Sequence, residues 1–531
     1  MSPNGRAALL LVSLIVAACA APPETPDVPP PKPIGPRGPA PAARPDLLFQ
    51  DITAWSGVLE AGQDAGPGVS AADLDDDGDD DLILPSGPGL DVWLNWGDGS
   101  FERKDAIDVD GGYVGCVAEL TGDRPLDVLV VNGAGRLRLF EGAGDGTFTP
   151  SSRLPELPIT GTASGVTFGD FNYTGRLSLF YGRMVPICSP EGRLADGTPC
   201  TPGATPDKLP PVVPTFFRHA ESGFVDDTVA AGLAGPTKVQ SMMVMDVNGD
   251  GPLDLFVGTE GDQRDLIYLG DAKGHFVERG KELGMEVKTS AMGSDAADID
   301  GDGDPELFVS DYLPKGGGQL WVRQPDGRFV NEATARGLGE LSQYSAWGVG
   351  LHDFDSDGDV DLLCVNAVPK DHTGIPLPQE RLYFDNDGTG HFTRRVAPGS
   401  GLDLATEARG ATFADFDDDG DIDVVVASTD VGPQHLRNDL PQGAWLKVAL
   451  DYPWYRPAVG AVVTARAAGR TITRWVHGTP SFGGTSSLVV HLGLGAAETA
   501  DELTVRWPHG EVQTTPGPLP ARQLVTVRYS K

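Results

Sequence analysis

The sequence predicts an all-β protein, a seven-bladed β-propeller followed by a small β-sandwich. Three observations predict it. An acidic nine-residue segment of the form Asp-x-Asp-x-Asp-Gly-x-x-Asp recurs along the chain, each copy leads into a short apolar run of strand-forming residues, and most repeats carry a Gly-containing hairpin signal further on. Repeats of about 40–50 residues that hold four short strands each mark a propeller.

The segment is cleanest at Asp73, Asp75, Asp77 and Asp81, and returns at Asp246, Asn248, Asp250 and Asp254, at Asp298, Asp300, Asp302 and Glu306, at Asp353, Asp355, Asp357 and Asp361, and at Asp415, Asp417, Asp419 and Asp423. Two eroded copies lie between the first and second of these: Glu119, Thr121, Asp123 and Asp127, then Asp170, Asn172, Thr174 and Ser178. Starts at 73, 119, 170, 246, 298, 353 and 415 give gaps of 46, 51, 76, 52, 55 and 62 residues. Seven copies imply seven blades.

Carboxylates this dense repel one another unless a cation lies among them. Side-chain oxygens at alternating positions, with a Gly that permits a sharp turn, suit a hard ion such as Ca²⁺. Positions one, three, five and nine offer side chains. Position seven, occupied by Asp79, Pro252, Asp304, Asp359 and Asp421, offers its backbone carbonyl, which tolerates a proline. An EF-hand would need a bidentate Glu at position twelve and flanking helices. Here the last carboxylate is ninth, and β-rich runs such as Leu82-Ile83-Leu84 and Val424-Val425-Val426 begin at once. About five Ca²⁺ sites are expected, with weak binding at Glu119, Asp123 and Asp127 and little or none at Asp170.

Within each repeat, small-residue runs such as Gly165–Gly169 and Gly410–Ala414 read as inner strands, and the acidic turn leads to the second strand. A third strand, a Gly hairpin (Asp98-Gly99, Asp145-Gly146, Lys273-Gly274, Asp387-Gly388) and an outer strand complete the blade. The seventh repeat stops at Asn438 without an outer strand, whereas Leu47–Thr53 reads as an outer strand with no repeat of its own. The N-terminal strand is therefore expected to complete blade seven and close the ring, leaving no open edge.

The acidic array resembles the FG-GAP/VCBS calcium propellers, of which the integrin α-subunit head is an example. The tail resembles the ASPIC/UnbV domain of the cartilage acidic protein family and of many bacterial proteins. It does so at Trp445-Leu-Lys-Val, Gly460-Ala-Val-Val-Thr-Ala, Gly469-Arg-Thr, His491-Leu-Gly493-Leu-Gly495 and Leu503-Thr-Val-Arg506-Trp507-Pro508-His-Gly510. The resemblance implies the fold and the calcium and leaves the partner open.

The domain reading is 1–18 signal peptide, 19–45 tether, 46–440 propeller and 441–531 sandwich of six short strands. Ala7–Ala18 is too short to span a bilayer and runs into Val16-Ala17-Ala18-Cys19, a lipobox-like end to an export signal. Lipid on Cys19, followed by a Pro-rich extended tether, predicts an exported, membrane-anchored lipoprotein of the bacterial cell envelope, with inner membrane, outer membrane and surface left open. Outside the cytoplasm, Cys188 and Cys200 are expected to form a disulfide stapling the long insertion. Cys116 and Cys364 read as buried small apolar residues.

A formal net charge of −36 excludes nucleic acid as a partner. The five intact loops hold nineteen ligand-position carboxylates, and five divalent cations would leave about −26. No phosphate loop, zinc-ligand spacing or Gly-x-Ser-x-Gly elbow occurs, and His352, beside Asp353, reads as a packed or solvated histidine. The expected function is non-catalytic binding or adhesion, with the insertion 182–215 and the loop 366–380 presented to a protein or glycan. The alternative is an enzyme or accessory factor acting on carbohydrate or a secondary metabolite at the propeller face.

Overall fold

The computed structural model describes residues 39–530 apart from 59–65, 87–88, 110–111, 133–134, 158–160, 195–196, 203, 205–207, 262, 314–315 and 368–378. Cys19, the signal segment and most of the tether lie outside the described residues, as does most of the 366–380 loop.

Seven four-stranded antiparallel sheets form the ring. Their inner strands are Ser70–Ala72, Gly112–Ala118, Ala163–Gly169, Val239–Met245, Ala291–Ala297, Ala346–His352 and Ala408–Ala414. Small residues occur there because the strands crowd around the axis: a Cβ on Gly350 would come within 2.4 Å of the Phe413 ring. Each second strand starts at motif position nine, as in Asp81–Ser86 and Asp361–Asn366. The closure matches the expectation. Phe49–Asp51 is the outer strand of blade seven, antiparallel to Gln434–Asn438, with Phe49 opposite Asn438.

The insertion between the second and third strands of blade three carries the Cys188–Cys200 disulfide, with Cα atoms 6.0 Å apart, over a small cluster of Met184, Val185 and Leu209. Cys116 and Cys364 are free and buried.

The tail is two packed sheets. One orders Val490–Gly495, Ala444–Asp451 and Leu524–Arg528, and the other Arg470–Trp475, Val462–Ala467, Thr499–Arg506 and Val512–Pro520. It has seven strands where six were expected. The missed strand, Val512–Pro520, carries Pro516, Pro518 and Pro520, which argue for a turn in sequence but are tolerated on a sheet edge. Val490–Gly495 is preceded by a segment that leaves the sandwich.

That segment, 477–488, enters the propeller channel. It touches the inner strand of every blade. Thr485 carbonyl accepts from Ala71 N and Thr412 Oγ1, and Thr485 Oγ1 accepts from Val117 N. Ser481 exchanges backbone bonds with Ser294 and its hydroxyl accepts from Val349 N. His477 bonds to the backbone of Ala296 and Val244, and Gly478 lies against the Phe168 carbonyl. Phe482, midway along the segment, lies edge-on to Trp347, 5.2 Å between centroids. One apolar core runs from blades two to four into the tail, through Leu253, Leu255, Val459, Ala461 and Trp507. Buried apolar contact of this extent makes the tail part of one packed body rather than an independent appendage.

Candidate metal centres

The acidic turns join inner to second strands, so all lie on one face of the ring. Each turn is built the same way. The position-one carboxylate folds back on its own loop: Asp73 accepts from the backbone N–H of Asp77 and Gly78, and Asp298 from Gly301, Asp302 and Gly303. Position six adopts positive φ, +104° at Gly78 and +100° at Gly420, which glycine alone takes without strain. The position-nine carboxylate is buried and ties the loop to the third strand. Asp81 accepts from Leu74 N and Asn95 N, Asp254 from Val247 N and Gly270 N, and Asp423 from Phe416 N and Asn438 N.

The turns also join the blades. Third-strand asparagines donate to the position-two carbonyl of the preceding blade: Asn95 to Phe416, Asn386 to Ile299 and Asn438 to Phe354. Loop order and blade order are thus one mechanical system.

Carboxylates converge within 4.8 Å of one another at Asp73/Asp75/Asp81, Asp298/Asp300/Asp302, Asp353/Asp355/Asp357 and Asp415/Asp417/Asp419. The donor set fits a hard cation, because Asp75, Asp300, Asp353, Asp415, Asp417 and Asp421 each keep a buried Oδ1 with no hydrogen-bond partner. Burial, then the charges of Asp76 and Asp77, pushes Asp73 up to about 6. Burial, then Asp423, Asp419 and Asp415, pushes Asp417 up to about 9. Burial also raises Asp81 and Glu306 to about 9 and Asp254 to about 8, against backbone N–H bonds that pull the other way. A dication among these groups reverses both causes, replacing lost hydration and offsetting like charge.

Three loops depart in detail from the pattern of the others. The eroded second loop still brings Glu119, Asp123 and Asp127 within 4.8 Å, and the Arg176 guanidinium lies against its Gly122. In the fourth loop Asn248 turns both amide atoms onto Asp250, its Oδ1 accepting from Asp250 N and its Nδ2 donating to Asp250 Oδ2. In the third loop His509 of the tail lies 2.8 Å from Asp170 Oδ2, and Trp454 packs on Gly175. Asp170 is the one carboxylate of that loop, and a protein side chain partners it.

The tail supplies basic residues that the sequence reading did not connect to the loops. Lys447 Nζ lies 2.7 Å from Asp415 Oδ2 and also bonds Asp418. Arg474 lies 3.4 Å from Asp353, Arg470 pairs with Asp359, and Arg456 lies 3.1 Å from Asp76. The only sequence signal available was alternation: Trp445 and Lys447 share one strand face.

His352 does not face an open channel. It lines a cavity of about 100 Å³ between tail and ring, with His477, His491, Arg474, Asp295 and Asp353. Burial pushes His352 down to about 3 and His491 to about 4. The space suits a few waters rather than a substrate.

This architecture defines a class: a closed propeller of acidic-loop repeats with a β-sandwich docked on its loop face. Residues 120–181 and 246–309 match the FG-GAP-like repeat, and residues 454–531 match the ASPIC and UnbV family. The chain is similar to cartilage acidic protein 1 of Mus musculus, 25% identical over 476 residues that cover 76% of this chain and 70% of the relative. The Homo sapiens protein of that name is 24% identical over 355 residues, 54% of this chain and 52% of the relative. A solved structure described as showing recognition of non-reducing terminal N-acetylglucosamine by an Agrocybe aegerita lectin aligns over 66% of this chain and 88% of its own, at 17% identity and a TM-score of 0.40.

Proposed function

We propose that this protein is a calcium-stiffened, non-catalytic binding module of the bacterial cell envelope, exported and anchored by lipid on Cys19. Its propeller face opposite the tail meets a protein or glycan in an adhesion-like role. The observation that carries the reading is the set of buried, unpartnered carboxylate oxygens repeated in successive acidic turns. Positions one, three and five would hold the ion in blades five, six and seven, and positions one, three and nine in blade one, with the ion supplying charge compensation and nothing reactive. Position nine braces the turn through its backbone bonds.

The tail covers the loop face and residues 477–488 occupy the channel, so the opposite face is left for a partner. Strand-two-to-strand-three connections crowd that face, including the stapled insertion after Arg183. Loops held by a rigid scaffold are where binding residues concentrate. The enzyme alternative, acting on carbohydrate or a secondary metabolite, would need a site other than the filled channel.

The test is an array of glycans and envelope proteins probed with the tagged full chain, with and without chelator. Calcium-dependent binding that Val213→Asp in the insertion removes, with melting unchanged, supports the reading. Turnover of an arrayed glycan, or binding indifferent to the insertion and to calcium, refutes it.

A further inference from the structure

We propose that the tail caps two of the intact cation loops, those of blades six and seven, so that their ions exchange only when the tail lifts away. The loops of blades one, four and five exchange freely. The inference rests on the calcium reading above.

The position-six glycine allows a like-for-like comparison, because it sits at the same place in each of the five intact loops. A Cβ built on Gly78 in blade one or on Gly303 in blade five would meet nothing within 4 Å. On Gly251 in blade four it would meet only the Tyr173 hydroxyl, at 3.9 Å. On Gly420 in blade seven it would overlap the Trp445 indole, and on Gly358 in blade six it would come within 2.9 Å of the Arg470 guanidinium. Gly420 and Gly358 are buried, whereas Gly78 and Gly303 are exposed.

The covers are bonded in place. Over blade seven, Lys447 holds Asp415 and Asp418, and His491 Nε2 lies 2.9 Å from the Gly420 carbonyl, which it meets as donor. Over blade six, Gly443 N donates to Asp355 O at 2.8 Å and Gly495 N to Ser356 O at 2.9 Å. Arg470 Nη1 donates to Asp357 O at 2.7 Å. Beneath these covers lie the unpartnered oxygens of Asp353, Asp415, Asp417 and Asp421. An ion seated on them can leave only after the tail strand bearing Trp445 and Lys447, or the hairpin bearing Arg470, has moved. The coupling is reciprocal: loss of those two ions frees the like charge that the tail is packed against.

The experiment mixes calcium-loaded full chain with excess fluorescent chelator in a stopped-flow instrument. The expected result is two phases, about three ions fast and about two at least about tenfold slower. Trp445→Ala should move about one ion from the slow to the fast phase. Arg470→Ala should free the blade-six ion, and because Arg470 is half exposed this variant keeps the test sound if Trp445→Ala fails to fold. Calcium release in a single phase, or a slow phase that neither variant alters, overturns the cap and leaves the calcium reading standing. A purified protein that binds no calcium overturns both.

Discussion

Phe49→Ala tests ring closure. Phe49 is fully buried on the three-residue strand that completes blade seven, edge-on to Phe354 at 5.7 Å and to Tyr383 at 5.9 Å. A phenylalanine buries ~150–250 Å², worth about 4–6 kcal/mol at ~25 cal/mol per Å². Measured Phe→Ala losses run at about 3–5 kcal/mol. The strand makes only three paired positions, so the loss falls first on local opening of the closure. At ~1.4 kcal/mol per tenfold, amide exchange at residues 49–51 and 434–438 should accelerate by on the order of 10²–10³-fold. The assay is native-state hydrogen exchange with peptide-level mass spectrometry, and Val229→Ala, 82% exposed, is the control. Acceleration below about threefold at both strands, or equal acceleration across all seven blades, would refute the closure argument.

Further outcomes follow from single sites. Asp355→Ala or Asp417→Ala should remove about one calcium ion per chain and lower the melting temperature in calcium, while Thr174→Ala, in the loop that His509 fills, should leave both unchanged by elemental analysis and calorimetry. Burial pushes Asp265 up to about 7, so between the ordinary carboxylate value near 4 and about 7 the folded chain keeps a proton the unfolded chain has released. That contribution favours folding at low pH and is lost as pH rises through the window, so the melting gain of Asp265→Asn over wild type should grow from pH 5 to pH 8. Cys188→Ser should cost at most about 3 kcal/mol, confined to the insertion, leaving protease resistance of the ring intact while residues 188–200 become cleavable. Cys19→Ser should shift the protein from the membrane to the soluble fraction and abolish lipid mass on the mature N-terminus.

The ring could be read in the sequence because its signals are local. Acidic turns, hairpin glycines and β-branched runs each lie within one repeat, and the orphan strand before Asp73 had a matching gap after Asn438. The missed features are long-range or depend on strand position. Val512–Pro520 is a strand only because it lies at an edge. Residues 477–487 fall between two strands in the sequence reading, and nothing local says that Thr485 will meet Ala71, Val117 and Thr412. The loops were legible as ligand sets, but their neighbours Lys447, Arg470, Arg474 and His509 are more than 25 residues away in sequence.

The most direct measurement is the calcium content of the full chain, by elemental analysis after exhaustive buffer exchange, paired with its melting curve in calcium and in EDTA. The account predicts about five ions per chain and a large fall in melting temperature on chelation, since each independent site adds about 2.7 kcal/mol at a hundredfold excess over Kd. Mg²⁺, which demands tighter octahedral geometry, should restore little of it. Fewer than about three ions per chain, together with identical melting in calcium and EDTA, would contradict the account.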